Sequence, residues 1–393
     1  MAQTPPIYLD YAAATPLDPG VITAMQPYLS EQFYNPSANY LAARKVAQDI
    51  EKARGVVAHW LGARRTEITF TAGGTEANNL AIHGIMRRFP QGNIVVSEIE
   101  HESVLGPARA YDVRIAPVLP DGRVNVAKLG TLIDDQTVLV SVMQANNEVG
   151  AIQPIRDVAK LVRDVRKLRS TVHSSHDVSF IPIYFHTDAC QAAAYLGLKV
   201  ARLGVDMLTI NAGKIYGPKQ VGALYIRTGT MLEAQLQGGG QEAGLRSGSE
   251  NVAGIIGFAA ALEIVQQRRL DEVRRLRTLQ TIFFDLLKAQ SPAIVINGSL
   301  KHRLPNNIHI TLHGTDNERI LLNLEEAGIL CAAGSACSAA KGRASHVLTA
   351  LGLDEQTARA SLRLTMGYGT TVKEVRYVAQ VLERLQVNAK ALY

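Results

Sequence analysis

Cysteine is scarce in this 393-residue chain: Cys190, Cys331 and Cys337 are the whole supply, and three thiols cannot all pair. Such scarcity fits a reducing compartment, where each cysteine is a core residue, a ligand or a reactive thiol. Long apolar runs are missing too, since no 18 consecutive apolar residues occur, and that excludes an ordinary membrane-spanning helix. The opening Met-Ala-Gln-Thr-Pro-Pro-Ile-Tyr-Leu-Asp lacks the cationic and apolar regions of a signal peptide, so the expected location is cytoplasmic. Repeats and long polar tracts are also absent, and a hydrophobic fraction of 47% excludes disorder. A net charge of +6, scattered over a chain of this length, marks neither a direct nucleic-acid binder nor a membrane binder.

What is present is alternation. Ala43, Val46, Ala47, Ile50, Ala53, Val57 and Trp60 recur every three or four residues between polar neighbours, as on one face of an amphipathic helix. Apolar, β-branched runs at 68–71, 94–96, 138–142 and 181–185 are nearly continuous, as strands buried on both faces require. A further strand reads at 221–226. Helical segments lie between these runs, so the pattern predicts an α/β fold with a parallel sheet covered by helices.

Past residue 252 the character changes. A long helical stretch over 255–288 carries a basic face (Arg268, Arg269, Arg274, Arg275, Arg277), read as a solvated surface. Strands at 293–297 and 307–312 follow, then a helix at 317–327, and Thr371 to Glu374 form a capping box opening a last helix. The expected division is a large domain over 16–255 and a smaller α+β domain built from 1–15 and 256–393. The polar stretch 168–181 reads as a surface loop. His173 and His176 have i, i+3 spacing there, but no cysteine or second carboxylate pair stands near, so no metal site is expected.

Three segments carry possible chemistry. In Thr71-Ala-Gly-Gly-Thr-Glu-Ala-Asn78, between a strand and a helix, two glycines and a helix N-terminus suit an anion such as phosphate. In His186-Thr-Asp-Ala-Cys-Gln191 a carboxylate closes an apolar strand; a structural salt bridge is the competing reading. In Asn211-Ala-Gly-Lys-Ile-Tyr-Gly-Pro-Lys219 a lysine sits between small residues, where partial desolvation would lower its pKa for Schiff-base chemistry. Together, a phosphate cradle, a buried acid and a lysine are the parts a pyridoxal phosphate enzyme needs.

Those residues, with others along almost the whole chain, resemble the cysteine desulfurases of the NifS/IscS type, class V aminotransferase relatives within the fold-type I (aspartate aminotransferase-like) pyridoxal phosphate enzymes. The likeness includes Leu9-Asp-Tyr-Ala-Ala-Ala-Thr-Pro16, Asn35-Pro-Ser37, Gly73-Gly-Thr-Glu76, Glu100-His101 and Asn146-Asn-Glu-Val-Gly150. It continues through His186 to Gln191, Lys214 to Lys219, Gly238 to Glu242, Arg246-Ser-Gly-Ser249, Gly334-Ser-Ala-Cys337 and Leu362-Arg-Leu364.

The resemblance implies that Lys214 holds the cofactor as an imine and that Asp188 pairs with the pyridinium nitrogen. Gly74 and Thr75 bind the phosphate, and Asn211 can still donate an amide hydrogen bond beside it. Gln191 and Asn147 lie near the ring oxygen or the substrate, and His101 stacks over the ring and exchanges protons. Ser249 reaches the phosphate of a second subunit, which implies a homodimer. Arg363 holds the carboxylate of L-cysteine, and Cys337 takes its sulfur as a persulfide, leaving L-alanine. The sulfur then passes to a protein acceptor, an iron–sulfur cluster scaffold or a tRNA-thiolation enzyme. A thiolate attacks sulfur far better than a thiol, and the small residues from Gly334 to Gly342 suit a thiol that must move between partners. Cys331 and Cys190 read as core.

The chain departs from the family at the lysine. Asn211-Ala-Gly-Lys214 replaces Ser-x-His-Lys, and Gly213 cannot stand in for an imidazole, so weaker cofactor retention is expected. Ser249 stands for a threonine, Leu41 stands where a histidine is frequent, 169–180 resembles an insertion, and the long C-terminal tail of some members is missing. Two other readings stay open: a related lyase or aminotransferase, such as one acting on selenocysteine, and a catalytically impaired dimeric binding partner.

Overall fold

The structure, a computed structural model, describes residues 5–172, 181–290, 294–334 and 344–390. After β1 (Ile7–Tyr8), the chain lays down β2 (Ile68–Thr71), β3 (Asn93–Ser97), β4 (Asp112–Ala116), β5 (Thr137–Ser141), β6 (Tyr184–Asp188), β7 (Met207–Asn211) and β8 (Gly222–Ile226). These last seven form one sheet in the order β2-β8-β7-β6-β5-β3-β4. Every residue of β3, β5 and β6 is buried, as the near-continuous apolar runs require of strands covered on both faces. The helix Gly74–Arg88 covers one face, burying Leu80, Ile82, Ile85 and Met86, each stabilising the fold by about 1.5–3 kcal/mol of gross transfer energy.

Only β8 runs antiparallel to its neighbours. The cause is local, because the segment 212–221 joining it to β7 is too short to carry a crossover helix. The strand expected at 181–185 lies at Tyr184–Asp188 instead: Pro182 cannot donate to an interior ladder. The edge strand β4 offers no continuous apolar run, because Asp112 and Arg114 interrupt it, and of its residues only Ala116 is buried.

The C-terminal third forms a small antiparallel sheet, β12 (Ser361–Thr365), β10 (Asn307–Leu312) and β9 (Ile294–Ile296). β1 pairs in parallel with β11 (Ile329–Leu330), so the first residues of the chain join the last third. The helix Val252–Gln290 crosses residue 255 and packs on the helices Leu41–Leu61 and Val372–Lys390. Three of the five arginines of its basic face are ion-paired. Arg268 meets Asp18 at 3.2 Å, Arg274 meets Asp271, and Arg275 pairs with Glu272 while donating to the carbonyls of Gly367 and Thr370 at 2.7 Å. Among the described residues, no helix is long and apolar enough to cross a membrane.

Candidate active site

Open α/β sheets bind ligands beyond the carboxyl ends of their strands. Here the ends of β2, β3, β5, β6 and β7 surround a cavity of about 250 Å³ that also meets Arg363 of β12 and Ala12–Ala13 of the N-terminal segment.

Asp188, the last residue of β6, is buried at its floor. Its Oδ2 accepts a hydrogen bond from Asn78 Nδ2 at 2.7 Å and its Oδ1 accepts from the Cys190 backbone N–H at 2.8 Å. No described cation is within ion-pair distance, so the structural salt bridge is not what holds this carboxylate. Asn78 Nδ2 also reaches Ser103 Oγ at 2.8 Å, and Ser103 Oγ lies 2.8 Å from His101 Nδ1. A continuous chain of hydrogen bonds thus links the acid to the imidazole. The Ser103 backbone N–H donates to the same Nδ1, which makes Nδ1 an acceptor and leaves the proton on Nε2. Burial, aided by the charge of Lys214, lowers the His101 pKa below the ordinary histidine value against the pull of Asp188.

Lys214 follows the turn closing β7. Its Nζ donates only to main-chain carbonyls, those of Ala13 at 2.6 Å and Ala12 at 2.9 Å. Burial lowers its pKa, and Arg363 adds to the effect while Cys190, Asp10 and Asp188 oppose it. An amine with no carboxylate partner and a lowered pKa is a ready nucleophile.

The anion cradle is set by a close approach. Gly73, at φ +114°, caps the helix Gly74–Arg88, and a Cβ on Gly74 would meet Cys190 Sγ at 2.8 Å. Glycine therefore lets the bare first turn of the helix, with Thr75, face the cavity. Asn211 Oδ1 accepts the Gly213 N–H at 3.1 Å, which leaves its Nδ2 donors for a ligand.

Arg363 is buried and donates from Nη2 to Asp10 Oδ1 at 2.7 Å and from Nη1 to the Asn147 carbonyl at 3.1 Å. Its Nε is buried without a partner. Gln191, also on the wall, donates to the Ala12 carbonyl at 2.9 Å. An imine-forming amine, an acid set in a hydrogen-bond network, an anion cradle and an unfilled guanidinium edge fit pyridoxal phosphate with an amino-acid substrate.

One site residue expected from sequence lies away from this cavity. Ser249 is exposed and borders a separate cavity near Arg246 and Glu242. Cys337, like His173 and His176, is outside the described residues. The two ends of the segment carrying Cys337 converge on Glu148, next to the cavity residue Asn147: Ser345 Oγ donates to Glu148 Oε2 at 2.5 Å, and a Cβ on Gly334 would lie 3.3 Å from that oxygen.

Cys190, expected in the core, is a wall residue of the cavity, although burial and Asp188 push its pKa up and keep it a thiol. Cys331 packs at the core margin with its pKa pushed up to about 12 by burial. His186 is a satisfied core histidine between Ser141 and Thr209, its pKa pushed down to about 4 by burial. The roles of Asn78, Ser103 and Asp10 were not foreseen. A polar Asn78 on a helix face otherwise made of Ala77, Leu80, Ala81 and Ile85 was the available signal.

This fold and donor set define a fold-type I pyridoxal phosphate enzyme. The family model described as aminotransferase class-V matches residues 7–378. The chain is 39% identical over 386 residues to the cysteine desulfurase IscS of Dictyoglomus turgidum, covering 96% of this chain and 94% of that one. Among solved structures it is similar to a NifS-like protein, with TM-score 0.87, 30% identity and coverage of 97% and 99% of the two chains. It is also similar to a structure described as SspA in complex with cysteine, with TM-score 0.77, 32% identity and coverage of 92% and 98%. The chain belongs to the class-V aminotransferase family and, within it, to the cysteine desulfurases of the NifS/IscS type.

Proposed function

We infer that the protein converts L-cysteine to L-alanine and passes the sulfur to Cys337 as a persulfide. The observation that carries this reading is one cavity lined by a lysine amine with no carboxylate partner, a hydrogen-bonded carboxylate and a guanidinium with N–H groups to spare. Pyridoxal phosphate would be held by Lys214, by Asp188 at the ring nitrogen, by Gly74, Thr75 and Asn211 at the phosphate, and by His101 and Gln191 around the ring. When bound, it supplies an electron-accepting ring for the pair released at the substrate Cα.

The chain's own groups do the rest. Arg363 binds the α-carboxylate through the N–H groups that Asp10 and Asn147 leave free, and those two partners fix its plane. Lys214 Nζ, freed on substrate binding, moves the proton at Cα. His101, neutral at pH 7 with its proton on Nε2, serves as a proton donor and acceptor at the substrate sulfur. The Cys337 thiolate attacks that sulfur, so an S–S bond forms as the C–S bond breaks, and the carbon fragment takes up protons to leave as alanine.

A homodimer is part of this reading. Leu29, Phe33, Tyr40 and Leu41 are large apolar residues exposed on one stretch of chain, as an unpaired interface would be, and exposed Ser249 is available to a partner's phosphate. The two domains, 16–255 and 1–15 with 256–393, would meet at the cavity. The persulfide would be unloaded in the cytoplasm by an iron–sulfur scaffold or a tRNA-thiolation protein. The test is to load the protein with pyridoxal phosphate, add L-cysteine and quantify alanine. Equimolar alanine and sulfur release supports the reading, and loaded protein that forms no alanine refutes it.

A further inference from the structure

The amino ends of β6 and β7, at the opposite edge of the sheet from the cofactor cavity, hold a second concave site of about 490 Å³. One wall is the helix Ile155–Val172, on which Arg163, Arg166, Lys167 and Ser170 stand at i, i+3, i+4 and i+7 and so share a face. The other walls are residues 182–184 and the turn 227–230. Five cations, Arg163, Arg166, Lys167, Arg169 and Arg227, line it against one carboxylate, Asp206. That carboxylate is already shared between Arg166 and Arg227, the latter at 3.1 Å. Arg163 and Lys167 have no acidic partner among the described residues.

Arg169 is the telling member. It is 7% exposed, donates from Nη1 to the Ile181 carbonyl at 2.9 Å and from Nη2 to the Asp134 carbonyl at 2.5 Å, and its Nε is buried with no partner. No described carboxylate lies within ion-pair distance of it. A buried guanidinium without a direct ion pair is costly, and burial lowers its pKa although the nearby charges of Asp135 and Asp134 oppose the shift. Cations converging on a concavity focus the local field and draw anions into it.

We propose that this cavity binds a multiply charged phosphorylated small molecule, anchored by Arg163, Lys167 and Arg169. Five cations against one carboxylate leave a surplus of four, which a single carboxylate ligand would not offset. Guanidinium forks match phosphate oxygens pairwise. Four of the cations stand on the helix Ile155–Val172 and Arg227 faces them from the turn after β8, so they close on one cavity, which favours a compact ligand over a nucleic-acid backbone. Tyr184 at one end of β6 lines this site and Asp188 at the other end lines the cofactor cavity, about 13 Å away at strand rise. The two anion sites are therefore separate, and filling one leaves the other open.

The test uses the holoenzyme, whose cofactor phosphate blocks the first site. Inorganic pyrophosphate and ATP are titrated separately by calorimetry, the two arms distinguishing a free polyphosphate from a nucleotide-borne one. Saturable sub-millimolar binding of either probe is expected, weakened about tenfold or more in the double variant Arg163→Ala/Lys167→Ala, with alanine formation from L-cysteine unchanged. Both substituted residues are exposed, so the variant should fold, and its melting temperature checks that. Three results would overturn the proposal: no saturable binding of either probe, equal affinity in the double variant, or binding of RNA alone.

Discussion

The guanidinium of Arg363 donates to Asp10 at 2.7 Å, joining β12 to the N-terminal segment at the wall of the cavity. Asp10 follows β1, which is itself paired with β11, so the substrate-binding arginine is oriented from the opposite end of the chain. The partnership leaves one N–H on each Nη for a carboxylate, while Nε is buried without a partner.

Replacing Asp10 by Asn keeps a hydrogen-bond acceptor but removes the charge that aligns the fork. The expected result is a KM for L-cysteine raised several-fold with a smaller change in kcat. Arg363→Lys removes the bidentate geometry altogether, and KM should rise about tenfold to a hundredfold, the range for a charge-assisted hydrogen bond. Steady-state kinetics on both variants checks the order of the two effects.

Asn78 is the middle of the chain from Asp188 to His101. Asn78→Ala should leave the fold intact, since alanine suits its helix, but should weaken pyridoxal phosphate binding about tenfold to a hundredfold. Fluorescence titration of apo protein with the cofactor measures this. Unchanged affinity would mean that Asp188 is held by other groups.

Gly213 is where this chain departs from its family, and the structure has room there: a Cβ would meet nothing closer than Asn211 Oδ1 at 3.7 Å. Gly213→His should therefore fold and retain cofactor more firmly than the natural chain during dialysis. Equal loss from the two proteins would show that the glycine costs nothing in retention.

Two buried histidines tie stability to pH. His186 has its pKa pushed down to about 4 and His309 to about 3, both chiefly by burial. A folded-state pKa below the unfolded value of about 6.5 means that the stabilisation is complete above that pH and is lost as pH falls toward the folded value. At pH 5 each histidine should have cost about 2 kcal/mol relative to pH 7. Urea unfolding at several pH values tests this, and a profile flat between pH 7 and 5 would contradict it.

Much of the site was legible because its chemistry lies in short segments after strands. Gly74 and Asp188 come just after apolar runs that read as strands, so their placement at carboxyl ends came with the strand pattern, whereas β7, the strand before Lys214, is not among those runs. Asn78 and Asp10 were not legible in their roles, because they act through partners 110 and 353 residues away in sequence. Strand β12 was hidden for a related reason. Its Ser361, Arg363 and Thr365 are polar yet fully buried, and only the partners that satisfy them explain why. The basic cavity behind β6 escaped notice because Arg227 joins the cations of the helix Ile155–Val172 only in the folded chain.

The most direct test of the central claim is mass spectrometry of the peptide containing Cys337 after the loaded enzyme has met L-cysteine without reductant. The account requires one added sulfur atom on Cys337, alanine in matching amount, and loss of both in Cys337→Ser. Alanine formed at the natural rate by Cys337→Ser, with no sulfur on the natural peptide, would contradict it.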